Sequence, residues 1–189
     1  MEAKEVLALA CEYLRDYQLK EILENDNTDS VSDGQESKIK LLVTSLNDVV
    51  QTLALMYFPL KKTENIKSDT GEYKYEDFEK IVLEVIKVYD RLGNAVKYKC
   101  YPESMHTGLN EINVTYHYQP DFVENMGDKL NVAYERVSLR MLVTGVLARY
   151  YMYQGMYQES TAWERAFQTT ILAAKSSNHT QALPRRSWY

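Results

Sequence analysis

The feature that most constrains the fold of this chain is an apolar stretch in its last third, VSLRMLVTGVLARYYMYQ. Drawn as a helix, the stretch has apolar residues on nearly every side and no polar face for water. Such a helix has to be surrounded by other elements, and we predict a central helix over Lys129–Gln154. Gly145 lies in its interior, where Gly is about 1 kcal/mol less favourable than Ala. The expected compensation is a neighbouring helix or strand that approaches the backbone closely.

A second helix is predicted to follow the central one and to pack against it. The segment Gly155–Tyr157 has the character of a turn, and helical spacing of apolar residues resumes over Gln158–Ser176. We therefore expect a helical hairpin. The face turned towards the central helix consists of Trp163, Ala166, Phe167, Thr170, Ile171 and Ala174.

The first third of the chain predicts another pair of helices. Apolar residues recur at helical spacing over Glu2–Leu23 and again over Ser37–Tyr57, and Pro59 ends the second run. The polar segment Asn25–Glu36 between them is rich in turn formers and predicts a surface loop. These helices should pack antiparallel.

The middle of the chain changes from helical periodicity to alternation. Residues alternate in polarity over Ala95–Tyr101 and Glu111–Gln119, and β-branched residues favour a strand over Val82–Tyr89. A turn is predicted at Asp90–Asn94, and Lys61–Glu72 is interpreted as a charged connection. The predicted result is a small antiparallel meander whose buried face is covered by a helix.

Together these patterns predict an α+β fold that is mainly α. It is an antiparallel four-helix bundle with the β meander inserted between its second and third helices. We expect a single domain over residues 1–189. Its parts are a helical pair at 1–60, the β insertion at 61–120, a helical hairpin at 121–176 and an extended tail at 177–189.

Charge and cysteine content exclude several classes of function. The formal net charge is −5 and basic residues never occur in runs longer than two, which argues against a DNA regulator with a basic recognition face. Cys11 and Cys100 have no metal or redox spacing. We predict that both are buried free thiols in a reducing cytoplasm. The N-terminus lacks the pattern of a signal peptide.

No catalytic pattern is found in the sequence. The histidines, His106, His117 and His179, have no metal-ligand spacing, and His117 falls on the polar face of its strand. Phosphate-binding loops and nucleophile motifs are absent from the sequence. We predict no enzyme activity, no cofactor and no metal. An enzyme or small-molecule binder with a pocket between meander and bundle ranks low among the alternatives.

Two segments are candidate interaction sites. The chain has 16 tyrosines, a residue type that is enriched at protein interfaces. The meander offers an exposed strand edge, with Tyr101, His106, Tyr116 and Tyr118 as predicted contacts to a neighbouring subunit or a tail protein. The C-terminal LPRRSWY combines Arg with aromatics, as binding hot spots do; folding back onto the chain's own helices is an equally good interpretation. Its predicted partner-binding residues are Leu183, Pro184, Arg185, Arg186, Trp188 and Tyr189.

Four segments, taken in order, resemble bacteriophage head–tail connector proteins of the adaptor or tail tubular type. They are residues 62–99 (KTENIKSDTGEYKYEDFEKIVLEVIKVYDRLGNAVKYK), 111–120 (EINVTYHYQP), 144–167 (TGVLARYYMYQGMYQESTAWERAF) and 183–189 (LPRRSWY). The order and spacing of the segments carry the resemblance, and the N-terminal helical pair adds little to it.

The resemblance implies a structural virion protein in the neck of a phage particle. Such a protein forms a ring of identical subunits, a dodecamer, beneath the portal, and the ring extends the DNA channel towards the tail. Implied partners are the portal protein, neighbouring copies and a downstream tail protein, with DNA passing through non-specifically and no membrane. Residues 183–189 are expected to reach the portal. Assembly is expected in the host bacterial cytoplasm. The alternative is another phage assembly protein, a tail terminator or an assembly chaperone.

Overall fold

A computed structural model describes residues 1–25 and 32–176 of the chain. Within them lie five α-helices and two three-stranded antiparallel sheets. The fold is therefore α+β, and the predicted four-helix bundle with one inserted meander is wrong. The helices are α1 (Ala3–Tyr13), α2 (Tyr17–Asn25), α3 (Asp33–Thr52), α4 (Leu139–Tyr153) and α5 (Tyr157–Ser176). The strands are β1 (Leu60–Lys67), β2 (Glu72–Lys74), β3 (Val82–Tyr89), β4 (Lys99–Cys100), β5 (Ser104–His106) and β6 (Glu111–Tyr118).

The chain divides into two compact units. Among the described residues, the helical unit contains 1–25, 32–50, 123–130 and 134–176, and the β unit contains Gln51–Phe122 and Asn131–Ala133. In sequence, the β unit therefore interrupts the helical unit between α3 and α4.

Helix α4 is the centre of the helical unit, as predicted from its lack of a polar face. Every residue from 141 to 148 is buried. The helix begins at Leu139, however, and the predicted start at Lys129 is wrong. Residues 129 and 130 pair with the N-terminus instead, since Lys129 forms a β-bridge with Glu2 and the Leu130 amide donates to the Met1 carbonyl. The side chain of Ser138 then caps α4 by accepting from the Met141 amide at 3.2 Å.

The single helix predicted over Glu2–Leu23 is two helices. The break lies at Arg15, which has a φ of 58° in the left-handed region. The Asp16 amide donates to the Cys11 carbonyl and closes α1, while the Asp16 carboxylate accepts from the Leu19 amide and opens α2. When an Asp side chain caps α2, its hydrogen bond competes with the continuation of α1. The spacing of apolar residues did not reveal this competition.

Helix α3 agrees with the second predicted helix, although it begins at Asp33 rather than Ser37. The predicted loop Asn25–Glu36 falls partly outside the described residues. One π-helical turn, Leu53–Tyr57, continues α3, and the Phe58 amide donates to the Leu53 carbonyl at 2.7 Å. By length and composition Asp33–Tyr57 is a candidate membrane span. Buried core helices pass the same test, and Leu42, Leu46, Val49 and Val50 are buried here.

The larger sheet of the β unit has the strand order β1-β6-β3. Strand β6 was predicted correctly, and Ile112, Val114 and Tyr116 on its inner face are buried. The predicted meander is wrong because β6 lies between β1 and β3. Strand β1 lies in the segment that was interpreted as a charged connection. The segment did not resemble a strand because its inward positions Lys62 and Glu64 are themselves charged.

The smaller sheet has the order β2-β5-β4. Only Lys99–Cys100 of the strand predicted over Ala95–Tyr101 joins a ladder, and Cys100 is exposed, against the prediction. Cys11 is buried as predicted. The buried face of the larger sheet belongs to a core that it shares with the smaller sheet. The prediction that a helix covers this face is therefore wrong. That core contains Tyr73, Phe78, Val88, Met105, Ile112, Val114 and Tyr116.

Candidate partner-binding surface of the β unit

The smaller sheet brings two of the predicted contact residues together. Tyr101 and His106 lie on the hairpin of β4 and β5, and their rings form an edge-to-face pair with centroids 5.0 Å apart. Nε2 of His106 lies 3.3 Å from Oε1 of Glu72 on β2. Half of Tyr101 is exposed. This aromatic and charged cluster is held by three neighbouring strands and is open to a partner.

The other two predicted contacts lie on the larger sheet and are less accessible. Tyr116 is 0% exposed, and its hydroxyl donates to Oε1 of Glu64 at 2.7 Å. Tyr118 is half-buried at the end of β6, where it pairs with Leu60 and Val82. Tyr116 therefore belongs to the core of the β unit and is not available at its surface. Alternation along β6 correctly predicted one buried face, but the choice of Tyr116 as a surface contact was wrong because Tyr116 lies on that buried face.

Glu64 is the centre of a polar network behind Tyr116. Lys62 approaches Glu64 at 2.9 Å and also pairs with Glu79. Burial acts to raise the pKa of Glu64, but hydrogen bonds from Tyr116 and Lys62 outweigh it, so the pKa lies below its ordinary value. Burial and the same carboxylate raise the pKa of Tyr116. The network keeps a partly buried carboxylate ionised and fixes β1 against β6.

The outer face of the larger sheet is a ladder of paired polar side chains. The hydroxyls of Thr63 and Thr115 lie 2.8 Å apart, and Nδ2 of Asn65 donates to Oδ1 of Asn113 at 3.1 Å. His117 continues the row with Nδ1 at 3.1 Å from Oε2 of Glu84. His117 was predicted on this polar face. Because the polar groups largely satisfy one another, this face offers a partner few free hydrogen bonds.

A groove opens where the two strands of the hairpin diverge. It has a volume of about 620 Å³ and is lined by residues 96–99 on one side and 106–108 on the other. Val96 and Tyr98 are half-buried in it, whereas Lys97 and Lys99 are exposed. We call it the basic groove. The sequence contained a signal for it, because Lys97 and Lys99 alternate with apolar residues, but nothing marked the divergence of the strands.

The opposite end of the same hairpin is acidic. The turn from β4 to β5 is closed by a hydrogen bond from the Tyr101 amide to the Ser104 carbonyl at 2.8 Å. Glu103 in this turn lines a cavity of about 340 Å³ together with Glu72 and Glu76, and Lys74 is the one basic residue among the described residues of its lining. We call Glu76 and residues 101–104 the acidic turn. The sequence alone did not single out these acids.

Two remaining predictions concern metal binding and the C-terminal segment. In the described part of the chain, no group of three or more His, Cys, Asp and Glu is placed to hold a metal ion. The C-terminal candidates, Leu183, Pro184, Arg185, Arg186, Trp188 and Tyr189, lie outside the described residues, as does His179.

Comparison of this chain with protein-family models and with curated proteins found no match.

Proposed function

We propose that this chain is a structural virion protein, a head–tail connector that forms a ring beneath the portal of a phage capsid. The ring extends the DNA channel and joins capsid to tail. The protein is non-enzymatic and needs no cofactor. Its partners are the portal protein, neighbouring copies of itself and a downstream tail protein, and it resides in the neck of the virion after assembly in the host cytoplasm.

One observation supports this proposal most directly. Two segments that carry the resemblance form central elements of the fold: EINVTYHYQP supplies β6, the middle strand of the larger sheet, and residues 144–167 supply most of the α4–α5 hairpin. The buried residues of these segments include Ile112, Val114 and Tyr116 on β6 and residues 144–148 on α4, so part of the likeness concerns the core of each unit. The exposed cluster of Tyr101 and His106 adds a surface suited to protein contacts.

The test is co-sedimentation of the full-length protein with a purified phage portal ring from the same genome, with the mass of the complex measured by light scattering. We expect a complex with a ring-like ratio of subunits. Deletion of residues 183–189 should abolish portal binding and leave the thermal unfolding of the protein unchanged. Substitution of Ser187 by Ala is the matched control and should bind as the wild type does.

Other outcomes separate the alternatives. A full-length protein that ignores the portal would remove the connector assignment and favour a tail terminator or an assembly chaperone. Portal binding that survives the deletion would preserve the connector assignment but overturn the role of residues 183–189.

A further inference from the structure

The two ends of the β4–β5 hairpin carry opposite charges that the described residues leave largely uncompensated. In the basic groove, Lys97 and Lys99 form no ion pair within residues 1–25 and 32–176. No acidic side chain lines this groove. The apolar floor of the groove is made by Val96 and Tyr98, which alternate with the two lysines along the strand and pack against the core of the β unit. An occupant would therefore combine a carboxylate with apolar surface.

The acidic turn offers that combination. Glu103 forms no ion pair with any described residue, and Glu76 has only Lys74, at 3.4 Å. Tyr101 and Pro102 lie beside Glu103 at the turn and are both exposed. A compact turn with a free carboxylate and exposed apolar neighbours matches the chemistry of the basic groove.

Among the described residues of one molecule, the two features meet only through the rings of Tyr101 and His106, and Glu103 forms no ion pair with Lys97 or Lys99. Lys99 pairs with His106 at the open end, whereas residues 101–104 form the closed end. Between different copies the same arrangement is productive. A contact that joins two different patches on identical molecules is heterologous, and it closes into a ring when the rotation between copies permits.

We propose that the basic groove of one copy of this chain receives the acidic turn of the next copy. Glu103 then lies between Lys97 and Lys99, and Tyr101 and Pro102 cover the apolar floor. Residues 96–98 lie beyond the β4 ladder, and the Val96 amide already donates to the Val88 carbonyl of β3 at 2.9 Å, so this contact depends on side chains and not on a free strand edge. This contact rests on the ring proposed above and identifies a surface through which neighbouring copies associate.

The decisive experiment uses paired charge reversals in the full-length protein, K97E/K99E and E76K/E103K. Each variant alone presents like charges at the contact and should associate at least about tenfold more weakly than the wild type. An equimolar mixture restores opposite charges at every contact and should recover the wild-type mass in sedimentation and light scattering. Association of the wild type should weaken as salt rises, because the charges lie near solvent.

The matched control is K61E/K87E, which changes the net charge by the same amount as K97E/K99E. Lys61 and Lys87 are exposed on the larger sheet and form no ion pair with described residues. This control should associate as the wild type does. Unfolding temperatures of all variants should agree, since each changed side chain is on the surface.

Cross-linking identifies the contact directly. Protein labelled with light isotopes is mixed with protein labelled with heavy isotopes, and the mixture is treated with a zero-length carbodiimide, with and without the portal. We expect cross-links from Glu103 to Lys97 or Lys99 between differently labelled copies. The contact is overturned if such cross-links are absent, if the mixture fails to recover association, or if the mass stops at two copies. If the acidic turn binds a tail protein and not a neighbouring copy, these cross-links are absent. Portal binding without these cross-links leaves the connector function intact, whereas cross-linked copies that ignore the portal leave the contact intact.

Discussion

Gly145 of α4 lies directly against Val49 of α3. A Cβ built on Gly145 would be 2.9 Å from Cγ1 of Val49, and 3.0 Å from Cε2 of Phe167 on α5. The predicted close approach at Gly145 is therefore confirmed, with two helices rather than one at the contact. Gly is required because any side chain at this position would overlap the helices on either side.

Substitution G145A should lower the free energy of unfolding by up to about 2 kcal/mol. Ala improves helix propensity by about 1 kcal/mol, but overpacking a core costs about 1–3 kcal/mol, and Val49 is a β-branched residue with little freedom to turn away. Urea denaturation measures the difference. G34A is the matched control, because a Cβ at Gly34 meets nothing within 4 Å. A more stable G145A protein would contradict the tight packing, and V49A should partly rescue it.

Substitution Y116F should destabilise the protein and change its dependence on pH. The Tyr116 hydroxyl donates to a partly buried carboxylate, and such hydrogen bonds contribute about 2 kcal/mol. Because the folded-state pKa of Glu64 is lowered from its ordinary value of 4.5, its contribution is present above that value and is lost as pH falls through the folded-state pKa. Without the Tyr116 hydroxyl, the stability of the protein should therefore fall less as the pH is lowered.

Thermal unfolding between neutral and acidic pH measures both effects of Y116F. The control is Y118F on the same strand, because Tyr118 has no side-chain hydrogen bond among the described residues. Equal behaviour of the two variants would show that the Glu64 network adds nothing to stability.

Substitution R15G should stabilise the break between α1 and α2. Arg15 has a φ of 58°, a conformation that costs a non-glycine residue about 1–2 kcal/mol. Glycine removes that strain but adds entropy to the unfolded chain, so the expected net gain is about 0.5–1 kcal/mol. R15A removes the same side chain without relieving the backbone and should show no gain. Equal stability of the two variants in urea denaturation would refute the strain.

The two cysteines should react with thiol reagents at very different rates. Cys100 is exposed, whereas Cys11 is buried, and burial followed by the charge of Asp16 raises the pKa of Cys11 to about 12. Reactivity requires an accessible thiolate. At neutral pH we expect rapid labelling of Cys100 and labelling of Cys11 only after unfolding. Stopped-flow absorbance with an aromatic disulfide reagent measures both phases, and C100S should remove the fast phase alone. A fast reaction in C100S would place Cys11 at the surface.

The sequence alone determined the elements whose periodicity is governed by burial. The lack of a polar face predicted that α4 is central, and alternation predicted β6 and its inner residues. Close packing at Gly145 was predictable because Gly is costly inside a helix unless its small size is needed. The face of α5 followed from helical spacing, and Phe167 and Ile171 on it are buried.

The tertiary structure decided what depends on partners distant in sequence. Strand β1 forms because β6 pairs with it, although inward-facing Lys62 and Glu64 made its sequence resemble a connection. Residues 129 and 130 pair with the N-terminus instead of extending α4, and Asp16 divides the first helix. The opposite charges at the two ends of the β4–β5 hairpin likewise became a pair of sites only once the strands were aligned. Periodicity reports which side of an element is buried, whereas strand order, strand pairing and the meeting of side chains depend on long-range contacts that local sequence does not encode.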